Sequence, residues 1–162
     1  MIDITLKKIA PLKLVGMSTA TTAGNSQAVT AWKKFMPLQK DVVGKEDGVY
    51  FSVQEYGPDF PFDNFDPNAS FTTWAAKEVF DFKDVPAAFS KTEISGGLYA
   101  TFVHRGTAAS IVEPIEYLLT EWMPSLEYKV DKSRKHFEVL GSDYLGPTDP
   151  NSKEVVWVPI KK

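Results

Sequence analysis

Glu138 is the residue of this sequence whose setting asks for a chemical explanation. It sits at the centre of KHFEVLG, residues 135–141, between Phe137 and Val139. Aromatic and β-branched residues ended by a glycine predict a strand, and a strand of this kind wants to be buried. A carboxylate held among apolar groups is costly unless it is paired, hydrogen-bonded or protonated. Burial raises its pKa, which is one way to make a general acid or base. Aromatic faces also attract organic cations, and a single carboxylate completes such a site. His136 shares a strand face with Glu138, so His-x-Glu can supply half of a metal site. No third ligand has a recognisable spacing, and an exposed histidine is the simpler reading. His104, before Arg105 and Gly106 at a strand end, reads as a structural hydrogen-bonding residue. Glu113 and Glu116 lie one helical turn apart and fit a solvated helix face. The sequence contains no glycine-rich phosphate loop, nucleophile elbow or zinc-protease motif, and no cofactor or metal is predicted.

The elements that position Glu138 follow from hydropathy and punctuation. Residues 3–17 alternate loosely around Pro11 and predict a strand, on an edge or interrupted at the proline. Val29, Trp32, Phe35 and Met36 recur at helical spacing after Asn25 and Ser26, and Pro37 ends the helix. Residues 48–57 predict a strand, 57–70 a turn-rich connection carrying Phe60, Phe62 and Phe65, and 71–80 another strand. That connection is either a lid or an anchor on the core. The order then repeats. Residues 92–106 predict a strand, and Ile111, Ile115, Leu118, Leu119 and Trp122 form an apolar helical face ended by Pro124. HFEVLG and EVVWVPI follow as strands separated by a turn-rich segment. WKKFMPL is echoed by EWMPSL, and FTTW by VVW. The predicted fold class is α+β: a tandem repeat of a strand-helix-strand-strand unit, with antiparallel sheets, helices on one side and a central ligand groove.

Strand parity then selects the residues around Glu138. Alternate residues face opposite sides of a sheet. If Phe137 and Val139 face the helices, Glu138 faces a groove on the bare side of the sheet. Val156, Val158 and Ile160 form one face of the last strand and place Trp157 on the other, with Glu138. In FTTW only one of Phe71 and Trp74 can reach that side. The candidate ligand-binding set is Glu138 with Tyr50, Tyr56, Trp74, Tyr99 and Trp157, and Glu138 is also the candidate general acid or base. A solvated sheet face with Glu138 pointing outward is the alternative that the pattern leaves open.

Composition narrows the function classes. The chain has 162 residues and a net charge of −3, with lysines scattered among acids. That pattern argues against direct nucleic-acid binding, which favours a clustered basic face. There are no cysteines, which removes disulfides and thiolate catalysis. No apolar run is long enough for a signal peptide or a bilayer span, so a cytoplasmic location with no membrane contact is expected.

The second half, from GGLYATFVHRG through HFEVLG to EVVWVPI, resembles the GyrI-like family, the small-molecule-binding domain of bacterial drug-sensing and AraC-type regulators. The resemblance rests on a Gly-x-Tyr-Ala strand, a helix closing near Trp-x-Pro with Tyr128 soon after, a Phe-Glu strand core and a final Val-Pro-Ile. The first half fits more loosely. The resemblance implies one GyrI-like domain over residues 1–162, with a first repeat at about 1–82 and a second at about 92–162. It also implies a ligand groove between the repeats with Glu138 at its base. A tyrosine common in the family two positions after the acid is Leu140 here, and Tyr144 stands too far along the chain to replace it. Because the sequence opens on the first strand, no DNA reader is expected ahead of it. The resemblance implies a stand-alone binder of amphipathic or aromatic small molecules, cations among them. Its alternatives are a hydrolase of strained electrophiles such as cyclopropanoids, and a protein partner of DNA gyrase.

Overall fold

Pro11 breaks the first strand, and that break sets the topology. Proline has no N–H to give to a ladder, so β1 (Thr5–Ile9) ends and β2 (Leu12–Thr22) begins across Ala10 and Pro11. The computed structural model describes residues 2–64 and 66–162. Its second half carries a matching break at Ser95 and Gly96, between β5 (Ser90–Ile94) and β6 (Gly97–Arg105). A side chain at Gly96 would meet the Ile9 carbonyl oxygen at 2.8 Å, so glycine lets the two breaks pass each other closely. Segment 3–17 is thus the strand interrupted at its proline, one of the two readings its sequence offers, and segment 92–106, expected as a single strand, is also two strands.

The remaining elements follow the expected order. They are α1 (Ala28–Phe35), β3 (Tyr50–Glu55), β4 (Ser70–Val79), α2 (Val112–Tyr117), β7 (Lys129–Val130), β8 (His136–Leu140) and β9 (Lys153–Lys161). The helix begun by α2 runs on as a π-helical turn, Leu118–Trp122, into the short α3 (Met123–Ser125). All strand pairings are antiparallel, in the order β1-β6-β9-β8-β3-β4-β2-β5, with β7 added on β9. The order is symmetric about its centre, with β3-β4-β2 on one side and β8-β9-β6 on the other. The split-off strands cross over: β1 pairs with β6 and β5 pairs with β2. The two units thus share one sheet, joined where β3 pairs with β8.

Both helices pack on the same face of this sheet. Ala31 and Phe35 of α1 bury Val15 and Ala75, while Leu118 and Met123 bury Ala100, Phe102, Val156 and Val158. The opposite, inner face is a core in its own right. Leu14 and Ile94 from one end of the sheet and Tyr99 from the other join Phe51, Val53, Trp74 and Phe137 in a single cluster, so the sheet curls around them. The expectation that this bare face lines the groove is corrected: aromatic side chains fill it. Phe137 stacks on Trp157 at 5.5 Å and 7°, and Tyr99 meets Phe137 edge-on at 5.5 Å.

The orientation of HFEVL is reversed from expectation as well. Glu138 pairs with Ser52 on β3 and Val156 on β9, and Val156 lies under the second helix. Glu138 therefore points to the helix face, and Phe137 and Val139 point to the inner core. Alternation fixed which residues go together but not which side they take, because both faces of this sheet bury apolar groups. Among the described residues, no helix is long and apolar enough to cross a membrane.

Phe137→Ala should cost about 3–5 kcal/mol of stability in urea unfolding, as for a large ring removed from a closed core. A cost below about 1 kcal/mol would mean that the ring faces a roomy cleft rather than a packed interior.

Candidate functional site

Neither helix covers the middle of the sheet. Helix α1 lies over β2 and β4, and the second helical run lies over β6 and β9. The helix face of β3 and β8 is left as the floor of a cleft, and the polar residues of these strands collect there: Ser52 and Gln54 from β3, His136 and Glu138 from β8. The cleft holds a cavity of about 340 Å³, within the range of small-molecule sites. Ile111, Ile115 and Leu119 form one wall, and Tyr56, Phe60, Phe62 and Phe71 form the other.

Glu138 is the only acid lining this cavity among the described residues. Gln54 Nε2 donates a hydrogen bond to its Oε2 at 2.8 Å. Burial nevertheless pushes the carboxyl pKa up to about 8, helped by the negative charge of Glu154, while hydrogen bonds from Gln54 and Ser52 oppose the rise. Glu154 is itself raised by burial. At neutral pH the empty cleft therefore holds Glu138 mostly protonated. His136 is also uncharged, because burial and the nearby Arg134 guanidinium lower its pKa to about 3. Its ring lies parallel to Phe62 at 5.5 Å and edge-on to Tyr56 at 4.8 Å, and its buried Nε2 has no hydrogen-bond partner. The imidazole thus serves as an aromatic wall. His136 and Glu138 gain no third metal ligand among the described residues.

Tyr56 joins both sides of the wall. Its ring centroid lies 4.5 Å from Phe60, 5.1 Å from Phe62 and 4.7 Å from Phe71. Burial, followed by the proximity of Glu138, raises its hydroxyl pKa well above the ordinary value. The hydroxyl stays protonated and can donate a hydrogen bond.

Of the six residues expected around the groove, the structure brings Glu138 and Tyr56 into the cavity and Trp157 to its border. The Trp157 ring belongs to the inner face, stacked on Phe137. Tyr50 shares the helix face but packs edge-on against Trp32 and Phe35 of α1, at 6.2 and 6.3 Å. Trp74 is 8% exposed in the inner core and donates to Glu55 at 3.2 Å. Tyr99 is fully buried there, and its hydroxyl donates to the Lys135 carbonyl at 3.1 Å. The corrections for Trp74, Tyr99 and Trp157 share one cause, the reversed sheet face, while Tyr50 is on the cleft's face but is taken up under α1. In FTTW the same reversal exchanges Trp74 for Phe71. Gln54 and His136 were legible as polar partners of Glu138 once β3 is paired with β8. Phe60 and Phe62 line the cavity as an aromatic wall, while Phe65 lies outside the described residues. Tyr144, set aside on sequence distance, returns to the neighbourhood: burial, Glu154 and Glu138 all raise its pKa. His104 is buried, with Nε2 3.0 Å from the Thr107 carbonyl and 3.3 Å from Ser110 Oγ, a local turn-closing arrangement.

Comparison with known proteins places this geometry. The family model described as the GyrI-like small molecule binding domain matches residues 2–161. Transcriptional regulator BrlR of Pseudomonas aeruginosa is 26% identical over 148 residues, covering 91% of this chain and 51% of the regulator. The chain thus spans about half the length of that relative. Among solved structures, SAV2435 bound to tetraphenylphosphonium superposes with a TM-score of 0.69 at 16% identity, over 99% of this chain and 94% of that one. The C-terminal domain of EcmrR superposes with a TM-score of 0.68 at 13% identity, over 100% and 99%. At these identities the structures establish a shared fold.

The raised pKa of Glu138 has a signature in stability. A carboxyl raised to about 8 in the folded protein, from about 4.5, binds its proton more tightly when folded. Its contribution is complete below 4.5 and is lost as pH rises through 8. Below about 6.5 the buried neutral His136 acts in the opposite sense. Between 6.5 and 8, urea unfolding should show stability falling by up to about 2 kcal/mol, relative to Glu138→Gln. Parallel stability curves for the two proteins would place Glu138 in water.

Proposed function

The chain belongs to the GyrI-like small-molecule-binding domain family, and from that premise we propose that its cleft takes lipophilic organic cations, with Glu138 as their counter-charge. The observation that carries the reading is the single carboxylate at the floor of an otherwise aromatic and aliphatic cavity. Aromatic faces attract a diffuse cation through their quadrupoles. A delocalised organic cation gives up its hydration cheaply, so the apolar walls cost it little. Its charge also offsets the desolvation that holds Glu138 protonated. The tetraphenylphosphonium seen in the structure of SAV2435 is a ligand of this class. A cytoplasmic location suits this role. The regulators that carry this domain unite it with further chain, so a ligand-sensing role beside a DNA-reading partner domain is consistent with the same cleft. Gyrase binding gains no support from the described surface.

One observation favours a second reading. A carboxyl that burial holds protonated at neutral pH is poised as a general acid. A hydrolase of strained electrophiles would use it in that form.

One variant separates these. By isothermal titration, Glu138→Gln should weaken tetraphenylphosphonium binding at least about tenfold and leave the neutral triphenylphosphine oxide almost unchanged. Equal loss for both ligands, or no loss for the cation, contradicts charge complementarity. Turnover of a cyclopropanoid probe by the wild type, absent in the same variant, would instead establish the hydrolase.

A further inference from the structure

The cleft does not end at its aromatic wall. Phe62 and Leu119 line the cavity over Glu138, and they also line a second cavity of about 600 Å³ on their far side. Leu119 lies in the π-helical turn Leu118–Trp122, an irregularity that recurs at functional sites. The first cavity carries one acid. The second is lined by Lys129, Lys132 and Lys161, against one carboxylate, Asp63.

These lysines are arranged in a way the fold alone does not require. Lys129 stands directly opposite Lys161 where β7 pairs with β9. Like charges in opposite positions of a strand pair repel and destabilise it. Among the described residues, no carboxylate lies within salt-bridge distance of any of the three. Asp131, the acid next to them in the chain, is taken by Arg134 at 2.9 Å. The third ammonium, Lys132 Nζ, stands 5.9 Å from the centre of the Phe62 ring, which is the partition itself.

We propose that Lys129, Lys132 and Lys161 form an anion subsite continuous with the main cavity, and that the ligand is a zwitterionic amphipath. Its cationic aromatic body lies over Glu138. An apolar spacer crosses between Phe62 and Leu119, and its anionic group sits among the lysines and relieves the repulsion between Lys129 and Lys161. This assignment rests on the reading of Glu138 as the cation's partner, and it specifies the other end of the same ligand.

The test uses triphenylphosphonium cations with butyl to decyl tails ending either in methyl or in carboxylate, titrated into the full chain. At the tail length that spans the partition, the carboxylate-ended cation should bind about three- to tenfold more tightly than its methyl-ended counterpart. The advantage should shrink as salt rises. Lys129 and Lys161 are exposed, so the double variant Lys129→Gln with Lys161→Gln keeps the fold. It should abolish the advantage and leave the methyl-ended affinities unchanged. No advantage at any tail length, or an advantage that survives the double variant, overturns the subsite. Failure of the methyl-ended cations alone counts against Glu138 as the cation partner, and lysine-dependent binding of the carboxylate-ended cations would still uphold the subsite. Failure of both series overturns both.

Discussion

The pairing of β3 with β8 is the contact on which the rest of the molecule depends. It joins the two units into one sheet, and it occurs where neither helix reaches. Each unit covers its own strands with its own helix, so the seam is left open on the helix side. Register across the seam then places Ser52 opposite Glu138 and Gln54 opposite His136. A one-residue slip of β8 against β3 would send His136 and Glu138 into the inner core and Phe137 and Val139 into the cleft. The stacked Phe51 and Phe137 rings, 5.8 Å apart, hold the seam in register from the other side. The packed core and the cleft are therefore two faces of a single ladder.

The electrostatics of the cleft follow from the burial of its polar groups. His136 sheds its proton and Glu138 keeps its own, both because burial disfavours the charged form. Gln54 partly stabilises the carboxylate form without neutralising it. The resting cleft is thus nearly uncharged but responsive: an arriving cation changes the balance at one group. Apolar walls supply affinity without much selectivity, so the recognition of charge falls to a single ionisable residue. Beyond Phe62, lysines reverse the polarity, in a second cavity that shares Phe62 and Leu119 with the first.

Much of this was legible in the sequence. The echo of WKKFMPL in EWMPSL and the order of elements foretold two units with helices on one side, and HFEVLG singled out Glu138. Two things were hidden. Pro11 signalled an interruption, while the break at Gly96 went unread, and neither showed that β1 and β5 would each cross to the opposite unit, because a long-range pairing leaves no local pattern. The side taken by Glu138 was hidden for a related reason. Apolar alternation marks a buried face, and this sheet buries both, one under helices and one within its own curl. Trp74 and Tyr99 looked suited to a ligand groove because large aromatics suit pockets and cores alike. The clue that distinguishes the faces is size and polarity: Ala75 and Ala100 lie under helices, and Ser52, Gln54 and His136 surround the acid.

Proton release on ligand binding probes the buried, protonated Glu138 most directly. Tetraphenylphosphonium should be titrated into the protein at pH 7 in buffers of different ionisation enthalpy. With a free pKa of about 8, the observed enthalpy should vary with the buffer in proportion to the release of close to one proton per bound cation, and the dependence should vanish in Glu138→Gln. Cation binding with no buffer dependence in the wild type would show a carboxylate that is already charged and solvated, and would contradict the central role given to its burial.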